Sequence, residues 1–220
     1  MSAIEQPPYR AKLSHEYPAD FNGYLYFGFA NVAALAGIVA SLWMLRSPSP
    51  WVWLTVPIAF TVANFAEWLS HKGPMHHKRN RLAMLYDRHT LVHHVYFPHE
   101  DMTAPNHHHW GYVLFPWWAI FLVYLSAAPM ALLTGWLFGA NAGWLFMATG
   151  LGYYLLYEWL HLMHHLPPDH PISRTRFATW LRQHHTHHHD LRLMAHHNFN
   201  VSFPIADYLL GTAYRKRDED

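Results

Sequence analysis

Histidine outnumbers every other polar residue type here: 22 stand in 220 residues, against 15 Lys and Arg together and no cysteine. Most fall in four short clusters: His71-x4-His76-His77, His89-x3-His93-His94, His161-x2-His164-His165 and His184-His185-x-His187-His188-His189. A neutral imidazole binds metal through either ring nitrogen. Positions i, i+3 and i+4 share a helix face, so each cluster aims two or three imidazoles in one direction. A single ion takes about three to six ligands. About ten convergent imidazoles exceed one ion's needs and suit two, so the pattern predicts a dinuclear metal centre. The lack of thiols excludes disulfides, iron–sulfur clusters and thiolate zinc sites. Imidazole-rich sites suit iron, copper, zinc or nickel, and ligand type alone does not choose among them.

Those side chains need a scaffold, and its composition is that of a membrane protein. Only 13% of residues are charged, about half the ~25% usual in soluble domains. A net charge of +1 with 52% apolar residues gives no footprint for nucleic acid. Four apolar runs, at 21–45, 51–69, 111–133 and 136–160, are separated by polar segments. Each has about 19–25 residues, enough to cross a ~30 Å hydrocarbon layer as a helix. Trp and Tyr at their edges suit interfacial belts. The expected fold is an all-α integral membrane protein. Four transmembrane helices form two hairpins, and a cytoplasmic helical cap made from 70–110 and 161–213 holds the metal site. The membrane domain is expected over 21–213, preceded by a cytoplasmic N-terminal segment, 1–20, without a cleavable signal pattern, and followed by a charged tail, 214–220.

Charge fixes the orientation. With four spans, Arg10, Lys12, Lys72, Lys78, Arg79, Arg81, Arg88, Arg174, Arg176, Arg182, Arg192, Arg215, Lys216 and Arg217 lie on one side, against Arg46 alone on the other. That bias predicts cytoplasmic termini and places every histidine cluster on the cytoplasmic side. Glu67-Trp-Leu-Ser-His71 closes the second run and Glu158-Trp-Leu-His161 closes the fourth, a weak internal repeat. A carboxylate one turn inside the bilayer needs a partner. Glu67 and Glu158 are therefore expected to accept the free N–H of a ligand imidazole or to ligate directly, the alternative being a carboxylate that snorkels to the interface.

Three functions compete for these clusters. A metal transporter should carry ionisable ligands near mid-membrane, yet the interiors of the runs hold no His or Asp. A zinc hydrolase uses about three protein ligands and an open position, which leaves most of the histidines unexplained. An oxygenase that activates O2 to attack a C–H bond of a membrane lipid accounts for ligand number, cytoplasmic placement and closeness to lipid.

The boxes His71-x4-His76, His89-x3-His93-His94, His161-x3-His165 and His185-x2-His188-His189 are followed by Asn198-Phe-Asn-Val201 and Asp207-x3-Gly211-Thr212. Together they resemble the fatty acid hydroxylase/sterol desaturase superfamily over roughly residues 60–213. The resemblance implies a membrane-bound non-haem di-iron monooxygenase with two iron ions, for which zinc can substitute in purified protein, and O2 as co-substrate. It implies as ligands His71, His76, His89, His93, His94, His161, His165, His185, His188 and His189. His77, His164, His184, His187, His197 and Asn198 are further candidates as ligands or as partners of ligands. The second box has x3 where lipid hydroxylases often have x2, and the third reads equally as His161-x2-His164. His15, His170 and His99 are expected at the surface, and His107–His109 at the membrane interface ahead of the third run. The family also implies a membrane lipid substrate and a separate electron donor, a ferredoxin or a cytochrome b5 with its reductase. The small frame resembles the bacterial members, which implies a bacterial inner membrane and favours an acyl chain over a sterol or carotenoid. Desaturation on the same scaffold is the alternative reaction.

Overall fold

Prolines, glycines and apolar runs determine where the helices begin and end. The structure, a computed structural model, describes residues 7–18 and 20–215. Lys216, Arg217 and the rest of the charged tail lie outside the described residues, as does the start of the N-terminal segment. All regular structure among the described residues is helical. Five longer helices carry it: α1 Gly23–Trp43, α2 Thr55–Ser70, α3 Ala119–Phe138, α4 Ala140–His165 and α5 Arg176–His188. Three helical stretches are long and apolar enough to cross a membrane: Gly23–Trp43 with 21 residues, Pro50–Met75 with 26 and Ala119–Phe138 with 20. Helix α4 has 26 residues, but Asn141, Thr149, three tyrosines, Glu158 and its terminal histidines dilute its apolar character.

Two boundaries differ from those expected. The apolar run starting at Gly111 enters α3 only at Ala119. Pro116 has no N–H to donate and disfavours a helical residue before it. The α3–α4 turn falls at Gly139 rather than Thr134-Gly135. Gly139 has φ 92°, a conformation that glycine alone adopts freely. Gly135 instead lies inside α3 opposite Gly143 of α4, where an added Cβ would come within 2.7 Å of the Ala131 carbonyl. Small residues at this crossing let the helix backbones touch.

The chain forms two compact units. One gathers residues 24–66 and 114–160. Its core packs Ala30, Ala34, Ile120, Leu151 and Tyr154 together, with a second cluster at Ala59, Ala131 and Phe146. Two of its polar pairs lie between helices: Asn64 donates to the Tyr153 hydroxyl at 2.9 Å, and the Tyr124 hydroxyl donates to the Ala33 carbonyl at 2.8 Å. Outward, Leu25, Leu132 and Trp136 are 74%, 74% and 80% exposed. An apolar surface this dense suits hydrocarbon rather than water.

The other unit gathers, among the described residues, 67–113, 161–215 and the N-terminal segment from residue 7 through Gly23. The polar N-terminus is built into it. Buried Arg10 donates to the carbonyls of Tyr96, Asp101 and Thr103, and the Tyr112 hydroxyl donates to the Leu13 carbonyl. All four histidine clusters lie in this unit.

Candidate metal centre

The histidines are positioned by two kinds of helical turn. His161/His165 on α4, and His185 on α5 with His189 at its C-cap, are spaced i, i+4, the regular α-helical repeat. His71/His76 and His89/His94 are spaced i, i+5. Asp87–His93 is a π-helical turn, whose i→i+5 hydrogen bonds bring residues five apart onto one face, and His71–Met75 is kinked at Gly73. Gly73 leaves helical geometry and Pro74 lacks an N–H, so the α-helical ladder cannot continue past His71. The four-residue gap within His71-x4-His76 is thus matched by a local change in winding.

The side chains converge in two groups. His71, His76, His89, His94 and His188 form one, and His93, His165, His185 and His189 the other, with ligand atoms within 4.8 Å of one another in each. His161 joins the second group, its Nε2 lying 3.1 Å from that of His93. In the first group, Nε2–Nε2 distances are 2.7 Å for His71–His89, 3.1 Å for His89–His94 and 2.9 Å for His76–His188. In the second they are 3.2 Å for His93–His189, 3.0 Å for His185–His189 and 3.3 Å for His165–His185. The groups adjoin: the rings of His94 and His189 stack at 4.2 Å between centroids, and those of His89 and His93 at 5.2 Å. All ten imidazoles assigned by spacing and resemblance therefore meet in two adjacent sets.

Hydrogen bonds on the far side of the rings decide what these contacts are. Nδ1 of His71 faces the Phe199 carbonyl, that of His93 the Tyr112 carbonyl at 2.8 Å, and that of His165 the Met102 carbonyl at 2.7 Å. His188 and His189 likewise face the carbonyls of His197 at 2.9 Å and Phe97 at 2.5 Å. A carbonyl only accepts, so each Nδ1 carries the proton and each neutral ring presents a bare lone pair at Nε2. His93 and His189 thus point lone pair at lone pair across 3.2 Å. That contact is repulsive unless a cation lies between the nitrogens. Imidazole–metal bonds of about 2.0–2.1 Å place neighbouring ligand nitrogens about 3 Å apart, close to the separation of the nearest pairs in both groups. The donor set and its spacing fit a bound metal ion in each.

A shared proton is a poor substitute, because burial works against it. Desolvation pulls His93 down to about 3, partly offset by its backbone carbonyl. Desolvation also holds His89, His94, His185, His188 and His189 well below the usual imidazole value. An imidazole depressed in this way stabilises the fold fully above its unfolded pKa of about 6.5, and that stabilisation is lost as pH falls toward the folded value. Chelator-stripped protein should therefore melt at a lower temperature at pH 5 than at pH 7.5, and added metal should raise the melting temperature at pH 7.5. A melting temperature that is the same at both pH values without metal would refute this.

The remaining sequence candidates sort by their partners. His164 donates from Nε2 to the Val201 carbonyl at 2.8 Å, which leaves His165 to complete the third box. His184 pairs with Asp207 at 3.1 Å, His77 is exposed on the Lys72 carbonyl, and His187 packs on Tyr214. His197 acts through its carbonyl, the acceptor for His188. Asn198, at φ 57°, spans the His184 carbonyl and the Tyr214 N–H. Glu67 lies one step further out than expected: it accepts the N–H groups of Val201 and Ser202 and the Ser202 hydroxyl. It can do so because the nearby Phe199 carbonyl already takes the proton of His71. Glu158 accepts the Phe115 N–H at 3.2 Å. Among the surface candidates, His15, His170 and His99 are exposed or half-exposed, whereas His109 is buried against the Tyr96 hydroxyl at 2.6 Å. Two residues that sequence reading gave no role stand out. Asp207 accepts from Phe199, Asn200, Thr212 and His184, and Arg10 holds the 96–103 loop. Comparison with protein-family models, curated proteins and solved structures finds no match for this chain.

Proposed function

We propose that this chain is a membrane-bound di-iron oxygenase that hydroxylates an unactivated C–H bond of an acyl-chain lipid, with electrons from a separate ferredoxin or cytochrome b5 system. One observation carries this reading: ten imidazoles meet in two adjacent sets, five with five, with no thiolate and no carboxylate in either. That is more nitrogen ligation than a hydrolytic zinc site uses, and the helices apolar enough for a membrane suit a lipid substrate. Bound iron would supply O2 activation. The chain's own residues hold and orient it: five backbone carbonyls fix the tautomers of His71, His93, His165, His188 and His189. The ten imidazoles are between 0% and 7% exposed, so the site sheds bulk water and strengthens the electrostatic interactions inside it.

The same reading places four spans in two hairpins, α4 being the fourth, with both termini cytoplasmic as the Lys and Arg distribution favours. The resemblance of the histidine boxes also favours a bacterial inner membrane and an acyl substrate. The test is lipid analysis under 18O2 in cells with and without the protein. Label in a lipid hydroxyl is expected. A new double bond without label would make the enzyme a desaturase, and metal flux with unchanged lipids would replace the oxygenase reading with transport.

A further inference from the structure

We propose that Arg10 is a positioning residue for one half of the metal centre: it holds the loop whose carbonyls orient His189 and His165, and so sets the affinity of the second histidine group without touching a metal. The inference rests on the metal reading above and adds that the two halves are supported independently.

The support for the second group begins far away in sequence. Its orienting carbonyls are those of Phe97 for His189, Met102 for His165 and Tyr112 for His93. The Arg10 guanidinium donates to Tyr96 O at 3.2 Å, Asp101 O at 3.2 Å and Thr103 O at 2.9 Å, the residues flanking Phe97 and Met102. It also pairs with the Asp101 carboxylate at 2.9 Å. The planar fork reaches several carbonyls at once, which a lysine ammonium does less well. The third carbonyl is held by the same N-terminal segment: the Tyr112 ring stacks on Tyr96 at 3.7 Å, and its hydroxyl donates to Leu13. A guanidinium only 4% exposed is costly to bury unless its donors are used, and here they are spent on this loop.

The first group hangs on a different frame. Its orienting carbonyls, Phe199 for His71 and His197 for His188, belong to the 197–202 segment. Asp207, Asn198 and Glu67 tie that segment down. One half therefore depends on an N-terminal cation and the other on C-terminal hydrogen bonds to carboxylates, and the residues supporting each are separate.

Cobalt(II) titration of the full chain in detergent, after chelator stripping, reads this directly, because cobalt reports its ligand field in the visible spectrum. The wild type should bind two ions. Arg10→Gln should weaken one of them by about 10- to 100-fold, the usual cost of losing an outer support of a ligand, and shift that ion's absorption bands alone. The weakened ion should be the one lost in His165→Ala. Asp101→Asn, which keeps the three carbonyl contacts, should give a smaller loss on the same ion, and Arg10→Lys should recover part of it. Circular dichroism controls for loss of fold. Two unaltered binding events in Arg10→Gln, or equal weakening of both, overturn the inference alone. A wild type that takes up no cobalt overturns it together with the metal reading.

Discussion

Replacing His93 and His188 together should abolish oxygenated product and strip most of the metal from the protein, while leaving the protein in the membrane. Each residue is central to its own group. Nε2 of His93 lies within 3.1 Å of His161 and 3.2 Å of His189, and Nε2 of His188 lies 2.9 Å from His76. Both are also anchored behind by a carbonyl, Tyr112 for His93 and His197 for His188. Loss of an outer support alone costs about 10- to 100-fold in affinity, so loss of a direct ligand should cost on the order of 100-fold or more at each half. Neither residue lies in a stretch apolar enough to cross a membrane, so insertion should be unaffected. Elemental analysis of protein from iron-supplemented cells should give two ions per wild-type chain and a small fraction of that in the double variant. A wild-type stoichiometry of one, unchanged by His71→Ala or His188→Ala, would refute the dinuclear reading. So would undiminished product from the double variant.

The histidine sets were legible because imidazole clusters of this density have few other uses, and spacing restricts which residues share a helix face. The pairs His161/His165 and His185/His189 follow from the α-helical repeat alone. His71/His76 and His89/His94 do not, since a five-residue spacing drifts off an α-helical face. The kink at Gly73-Pro74 aligns the first pair and left a local trace in the sequence, whereas the π-helical turn that aligns the second left none. The choice between His164 and His165 was also hidden. It depends on which ring meets the Val201 carbonyl, a contact across 37 positions. The structural roles of Arg10, read only as part of the charge bias, and of Asp207, read only as part of a motif, were hidden for a related reason. A charge in a polar, Pro-containing N-terminus reads as solvated until the fold brings the carbonyls of Tyr96 and Thr103 around it. Glu67 was read with its nearest histidine in sequence, whereas its oxygens reach the backbone of Val201 and Ser202, more than 130 positions away. The helix boundaries at Ala119 and Gly139 were blurred by uninterrupted apolar composition, which marks membrane helices well and their ends poorly.

Asp207→Ala should be the most destabilising single substitution in the chain, with a loss of several kcal/mol. The carboxylate is 0% exposed and accepts four hydrogen bonds. Oδ1 takes the Phe199 N–H at 3.0 Å and the Thr212 hydroxyl at 2.6 Å, and Oδ2 takes the Asn200 N–H at 2.7 Å and His184 at 3.1 Å. Burial alone would push its pKa up, but the hydrogen bonds from His184, Thr212 and Asn200 more than offset this and hold it at about 2. The stability it contributes is thus present above about pH 4 and lost as pH falls toward 2. Alanine would leave two buried backbone N–H groups without acceptors, at about 1–3 kcal/mol each, besides the hydroxyl and the imidazole. Against a usual stability of about 5–15 kcal/mol, that threatens the whole unit. Asp207→Asn keeps one acceptor oxygen and turns an amide donor toward a donor, so its loss should be smaller but clear. The functional consequence follows from chain adjacency. Phe199, whose N–H is held by Asp207, presents the carbonyl that fixes His71. Asp207→Asn should therefore lose metal from the first histidine group before the second, as elemental analysis and urea unfolding of the same preparation would show. Wild-type stability for Asp207→Ala would mean that the carboxylate is not the keystone of the 197–212 segment, and even loss of metal from both groups would mean that this segment supports more than His71 and His188.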